Sequence, residues 1–549
     1  MSSSPLANSQ PDSSMTQTNS VNPKLIFICT IAFVAGTIFL IGCNPIQPIG
    51  IARLSVPDIE EDEKDDKKEE KNANELDLLK SMEKPVFALF VTGRQYGYIE
   101  PCGCTGLFNQ KGGLMRRHRV QQILQKRGWE IIPIDAGNQI RRFGQQPVIK
   151  LQHTWQGLCN VMKYSAVGFG PDDLKPTTLD LLQTISNIVD DAGPFVSANV
   201  DLMGAGLQNP FVIVEKAGKK IGITHVLDDE STKPLKGNTD LEIKTMAEGL
   251  NAVIPQMATC DLKVLMLRTE KVETAQKVAN DFPVFDLIVH TTSAGEPEKL
   301  PTKVVTGNHT TSLIQIGTKG MYVGIVGCYE KNGKLELKYE RVPLDGRFTD
   351  SKPMERVFES YQNELKLLYT SGQLIDIKPR PHPSGNRFVG SQACFECHDE
   401  EFEIWEDGVD GDGGPHFIAT DDIVDPPNHR GHIARHFDPE CISCHATGWH
   451  PQDFYPYQTG FISLKKHDHL HGNGCENCHG PGSAHVELRK AEARGKGFAE
   501  DVLERDLLSV RLTLEQAKNG HCGQCHDADN SPDFLKEGAF DKYWAKIKH

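Results

Sequence analysis

Four times in its last third the chain sets two cysteines three positions apart with a histidine directly after the second. These are Cys394, Cys397 and His398 (CFECH); Cys441, Cys444 and His445 (CISCH); Cys475, Cys478 and His479 (CENCH); and Cys522, Cys525 and His526 (CGQCH). The pattern is that of a c-type haem attachment site. Two thiols one short turn apart reach the two vinyl groups of one porphyrin, and the next residue turns its imidazole onto the iron from the same side. Zinc ribbons also pair cysteines, but they do not need a histidine at the following position four times over. A redox dithiol needs one such pair inside a βαβ pattern, and none surrounds these sites. The motifs therefore predict four covalently bound haems c, the eight cysteines as thioether donors and His398, His445, His479 and His526 as proximal iron ligands.

Each iron then has a second axial face to fill. Fifteen of the 21 histidines lie between Gly385 and His549; less the four in the motifs, eleven are left for at most four distal positions. His416, His436, His485 and His549 are the candidates, since each is far enough along the chain from a proximal histidine to fold back onto another haem. His521 is too close to its own attachment loop, and the run His467, His469, His471 is expected in a solvated polar loop. Two neutral imidazoles give lower reduction potentials than Met ligation, so the expected chemistry is electron relay.

The elements that must hold these groups differ along the chain. At 549 residues more than one core is expected. A 7% aromatic share leaves room for a cofactor as core filler. Acidic residues outnumber basic ones by 74 to 59, a formal charge of −15, which argues against nucleic acid as a partner. Residues 1–43 form a polar leader followed by the apolar run LIFICTIAFVAGTIFLIGC, too long and too early to be an ordinary core helix. It ends in Leu40, Ile41, Gly42 and Cys43, which resembles a bacterial lipobox with Cys43 as the lipidated residue. The alternative is a spanning helix over 25–42. Either way the body is expected on the outer, periplasmic side of the cytoplasmic membrane, where haem is attached. Residues 44–84 include a mixed charge run, DIEEDEKDDKKEEKNANELD, expected as a solvated tether.

Residues 85–345 alternate apolar strand-like runs (86–91, 131–134, 211–214, 287–289) with helical stretches, which predicts an α/β or α+β layered domain. Residues 346–388 hold a helical pattern, MERVFESYQNELKLLYTS, and a Pro- and Gly-rich linker, with the boundary near 376–388. Residues 389–549 form the haem domain, where short helices after each motif and little sheet are expected. The chain is thus multidomain, an α/β domain followed by a mostly helical and irregular one.

Two resemblances sharpen this. The segments GSQACFECHDEEFEIW, HFDPECISCHATGW, GNGCENCHGPGSAHVE and CGQCHDADNSPDF, with the closing YWAKIKH, resemble the tetrahaem cytochrome c-554 family over about 385–549. The resemblance implies closely stacked haems, mostly with two histidines per iron and one haem open to a ligand. It makes His485 a distal ligand and His416 the counterpart of the family's histidine after Trp405. The stretch EDGVDGDGGP departs from the family spacing there, which leaves open the reading of His416 as a loop histidine. In the first domain, GGLMRR, IIPIDAGNQI, YSAVGFGPDDL, FVSANV, VIVEKAGKKIGIT and DLIVHTTS are similar, in order, to 5'-nucleotidase-like calcineurin-type metallophosphoesterases. That family holds two metals through Asp-x-His, GD, GNHE and later histidines. Here those places read VTGRQYG, Gly137-Asn138, Gly170-Pro171-Asp172-Asp173 and HTT from His290. Dinuclear hydrolysis needs hard ligands on both cations, so the domain is expected to be catalytically silent; the GNH at 307–309 falls after these motifs and is a coincidence.

Cys102 and Cys104, in IEPCGCTG, form either a soft-metal or thiol site or a structural pair in a Gly turn. Cys159, Cys260 and Cys328 are expected as small buried apolar residues. The leading expectation is a membrane-anchored multihaem c-type cytochrome passing electrons between membrane and periplasmic redox partners. The alternative is an oxidoreductase transforming a small nitrogen or sulfur compound at a five-coordinate haem; third is an active phosphoesterase fused to a cytochrome.

Overall fold

The computed structural model describes residues 82–549 except 102–109, 143, 190–192, 203, 205, 293–294, 375–376, 412, 427–432 and 528–529. The expected anchor with Cys43, the charged tether, and Cys102 and Cys104 lie outside the described residues. Among the described residues no helix is long and apolar enough to cross a membrane.

The first domain is a sandwich of two sheets. One has the order β13-β12-β1-β2-β3, built from β1 (Phe87–Thr92), β2 (Ile131–Asp135), β3 (Ala166–Val167), β12 (Tyr322–Lys331) and β13 (Lys334–Pro343). The other has the order β10-β11-β9-β8-β6-β5, from β5 (Phe211–Lys216), β6 (Lys219–Leu227), β8 (Leu262–Arg268), β9 (Leu287–His290), β10 (Thr302–Thr306) and β11 (His309–Gln315). A small ribbon pairs β4 (Val200–Leu202) with β7 (Leu241–Ile243). β1, β2 and β3 run parallel, as do β6, β8, β9 and β11 in succession, while β12 and β13, β10 and β5 pair antiparallel with their neighbours. The expected strand runs all form, with ends moved by one or two residues.

Side-chain alternation explains why these strands are apolar throughout. On β1, Phe87, Leu89 and Val91 point between the sheets, while Ala88 and Phe90 face the opposite layer. On β8, Leu262, Val264 and Met266 point between the sheets, while Leu265 and Leu267 meet α4 (Met246–Val253) and α5 (Val272–Asp281). A strand covered on both faces has no polar period to show. The other outer face is covered by α1 (Leu114–Lys126), α2 (Gln145–Gln156) and α3 (Thr178–Ile188).

The expected helix between the domains is α6 (Lys352–Thr370), capped by Ser351 Oγ accepting from Met354 N. It buries Met354, Val357, Phe358, Tyr361, Leu365 and Tyr369 in a cluster that holds α1 to α3 on one side and Ile423, Ile442, Trp449, Phe461 and Leu470 of the haem domain on the other. The two domains therefore share one core. The following chain is laid on the second domain, with Arg380 bridged to Tyr457 and Phe388 7% exposed.

The haem domain has the short helices expected: α7 (Asp399–Asp407), α8 (Pro439–His445), α9 (Cys475–His479), α10 (Ser483–Ala493), α11 (Glu500–Val510) and α12 (Ala539–Trp544). Its one ladder among the described residues joins 449–450 to 455–456. The run 467–471 is less solvated than expected: Leu470 is fully buried, its carbonyl accepts from Thr447 N, and His471 bridges Ala446. Leucine burial drew the segment inward.

Candidate functional site

In each motif the chain makes one tight turn, with His398 N donating to Cys394 O and His526 N to Cys522 O; the second and third motifs lie on α8 and α9. Positions i, i+3 and i+4 of such a turn share a face, which puts both thiols and the imidazole on one side. All eight cysteines are free of disulfides. Cys394 lies beside Cys475, and Cys444 beside Cys525, so the first motif abuts the third and the second abuts the fourth.

The histidines come in facing pairs. Ring centroids of His398 and His485 are 6.3 Å apart with planes at 30°. His416 and His526 are 6.2 Å apart, and His479 and His549 5.8 Å. An imidazole nitrogen sits ~2 Å from a first-row metal, so two rings facing across one metal put their centroids ~6 Å apart. Among the described residues no three His, Cys, Asp or Glu side chains converge as a zinc cage would require.

Hydrogen bonds fix which nitrogen is free. His445 Nδ1 bonds Ala419 O at 2.6 Å, His479 Nδ1 bonds Val510 O at 2.7 Å, and His526 Nδ1 lies 2.9 Å from Ser531 Oγ. His485 Nδ1 bonds Asp506 Oδ2 at 2.8 Å, and that carboxylate also takes Arg489 Nε. Each bond orients the ring and leaves Nε2 as the ligating atom. Burial lowers His416 to about 4, helped by His526 and His445, and also lowers His479 and His526. These imidazoles are therefore neutral at pH 7, the form a metal takes.

Two other described histidines sit elsewhere. His436 lies tilted against Phe437 with centroids 4.0 Å apart, and its Nδ1 is buried without a hydrogen bond. His521 Nε2 is engaged with Asn477 O. The anchors Asp506 and the Ala419 and Val510 carbonyls carry no sequence signal, since a carboxylate or carbonyl 21 to 31 residues from its histidine is set only by how the helices pack.

The surroundings fit a large apolar group. Among the described residues more than half of the exposed large apolar side chains lie past residue 390, Leu507, Leu508 and Leu514 among them, and α11 buries no residue at all. Amphipathic helices without a buried face suit a porphyrin cover.

Residues 393–480 match the family described as cytochrome c554 and c-prime. The match spans the first three motifs; the fourth lies beyond it. This cytochrome segment implies covalently bound haem c, which the facing histidines and free cysteine pairs fit. No curated protein matches the chain. Solved structures align with the sandwich. They include a 5'-nucleotidase precursor from Thermus thermophilus, at 15% identity and TM-score 0.44 over 62% of this chain and 66% of that one. The NAD nucleotidase NadN of Haemophilus influenzae aligns at 15% and 0.41 over 52% and 61%. The Thermus thermophilus sulfate thiohydrolase SoxB aligns at 12% and 0.42 over 52% and 61%. The chain spans 66% or less of the length of these three proteins. The sandwich fold stands on its own sheet topology.

At the strand ends where the resemblance places metal ligands, side chains bond one another. Thr92 Oγ1 donates to Asp135 Oδ2 at 2.6 Å, and Gly137 N donates to Asp135 Oδ1. Asp173 accepts three backbone amides, from Asn138, Ile140 and Gly170. Arg268 stands among them: Nε donates to Asn138 Oδ1, Nη1 to Thr291 Oγ1, and Nη2 to Glu270. His290 Nδ1 pairs with Thr292 Oγ1, and the buried His225, lowered to about 3 by burial and by Arg268, packs where a Cβ at Gly168 would strike its ring. His309, in the GNH and first in β11, bonds the Phe285 carbonyl. A guanidinium with three side-chain partners thus fills the end of the sandwich.

Proposed function

We propose that this protein is an exported, membrane-anchored electron carrier with four haems c, held outside the cytoplasmic membrane by Cys43 or by a helix over 25–42. It passes electrons between membrane donors and periplasmic redox partners. The observation that carries the reading is the set of three imidazole pairs at the spacing of a doubly ligated metal: His398 with His485, His416 with His526, and His479 with His549. These imidazoles would hold haem iron, which would supply one-electron exchange at low potential. The chain supplies the rest: thioether anchors, backbone and carboxylate acceptors that hold each Nδ1, and a cover of apolar helices. The sandwich serves as a non-hydrolytic module, because Arg268 and its partners take up the positions that metals would need.

The test is peptide mass after proteolysis, which should give four haems on the eight motif cysteines; thiols in that region free to alkylate would sink the reading. A second reading rests on the resemblance to the tetrahaem cytochrome c-554 family, which implies one haem open to a ligand: that haem binds and transforms a small nitrogen or sulfur compound. Carbon monoxide added to the reduced protein separates the two, since binding at one haem supports the oxidoreductase and no binding removes it. Phosphatase turnover by the whole chain with manganese would instead revive a hydrolase.

A further inference from the structure

The attachment helix of the second motif enters the shared core with its charges already committed. Asp438, 3% exposed, caps α8 and accepts from Tyr361 Oη at 2.9 Å and Gln362 Nε2 at 3.2 Å, both on α6. Two residues on, Glu440 Oε2 takes Lys150 Nζ at 2.5 Å, and its Oε1 lies 3.4 Å from Arg142 Nη1. Lys150 belongs to α2 of the sandwich, and its side chain is 8% exposed. Just upstream, Arg435 is held by both oxygens of Glu100. Cys441, next to Glu440, is the first thioether donor of this haem. Two carboxylates thus stand beside that cysteine, and the cations that face Glu440 come from the other domain. No other motif meets the sandwich in this way among the described residues.

A positive charge held near a haem favours the reduced iron, which carries one positive charge fewer, and a negative charge favours the oxidised one; in a partly dry interior the effect is weakly screened. We propose that the sandwich tunes the reduction potential of the haem on Cys441 and Cys444, with Lys150 as the positioning and charge-setting residue that offsets Glu440. This rests on the reading that these cysteines carry haem. It gives the silent domain a role in electron transfer: it sets one step of the relay rather than spacing the cytochrome from the membrane.

The test is an optical redox titration of the full-length holoprotein at pH 8, with electron paramagnetic resonance to assign the haem that moves. Glu440 still faces the Arg142 guanidinium there, 3.4 Å away. Lys150→Met should lower the potential of the second haem alone, by about tenfold in its reduction equilibrium, ~59 mV for one electron. Glu440→Gln should raise it, Lys150→Arg should leave it in place, and Lys150→Met with Glu440→Gln should bring it back near wild type. Should the first variant misfold, Glu440→Gln and the double variant still decide, since the latter removes both members of the Lys150–Glu440 pair together. Unchanged potentials, an equal shift in all haems, or a double variant that differs from wild type as Lys150→Met does would overturn the proposal. Absence of covalent haem in the wild type is a separate result and fails the underlying reading instead.

Discussion

The pairing of His485 with His398 depends on a hydrogen bond that reaches across two helices. Asp506 on α11 holds His485 Nδ1 while sharing its charge with Arg489 on α10. A carboxylate behind an imidazole raises its basicity and favours ferric iron. Asp506→Asn, which keeps an acceptor but removes the charge, should raise the first haem's potential by tens of millivolts. His485→Met should raise it further, by ~100 mV, because a thioether donates less to the ferric state; a redox titration checks both. In the sandwich, burial pushes Asp173 up to about 7, against three amides that favour its charged form. A raised folded value means the native state holds the proton more tightly than the unfolded chain does, so this contribution is present at low pH. It is lost as pH rises from ~4 through ~7. Denaturant unfolding across that window should show a falling stability, and Asp173→Asn should flatten the slope.

At the scale of elements, α9 is fastened to the chain that leads into the first motif. Glu476, inside the third motif and 3% exposed, accepts the amides of Val389, Gly390 and Gly482. This is how Cys475 comes to lie against Cys394 although about 80 residues separate them. Glu476→Gln sets an amide NH2 against backbone donors, and a buried mismatch of this kind costs ~1–3 kcal/mol. The expected outcome is a lower Tm with all haems still attached; an unchanged Tm would mean the three bonds do not hold the motifs together. The helices α6 and α11 show how far a periodic pattern carries. The apolar spacing of α6 announced a buried face, and it has one, pressed on both domains. Leu503 and Leu507 of α11 stand four apart, yet the helix buries no residue in protein, a face that suits a porphyrin.

For the whole molecule, the shared core makes the two domains one folding unit. Phe358, 4% exposed, lies under the Arg435 guanidinium at 5.0 Å and beside Tyr361, in the middle of the seam. Truncating it should cost ~3–5 kcal/mol. Since the loss falls between the domains, Phe358→Ala should also split a single unfolding transition into two, followed by haem absorbance and by far-ultraviolet circular dichroism together. One transition at unchanged temperature would show the seam to be weak.

The sequence by itself determined the attachment chemistry, because the spacing of two thiols and an imidazole is fixed within one backbone turn and needs no tertiary contact to be recognised. It also determined the strands and the missing metal ligands, which are local facts of residue type. Only the tertiary structure decided which histidine faces which, that His436 lies against Phe437, that Arg268 fills the sandwich end, and that the segment expected as a linker leads out of a shared core. Those depend on residues tens to hundreds of positions apart meeting in space, and a lone histidine, arginine or glutamate carries no periodicity that could announce its partner.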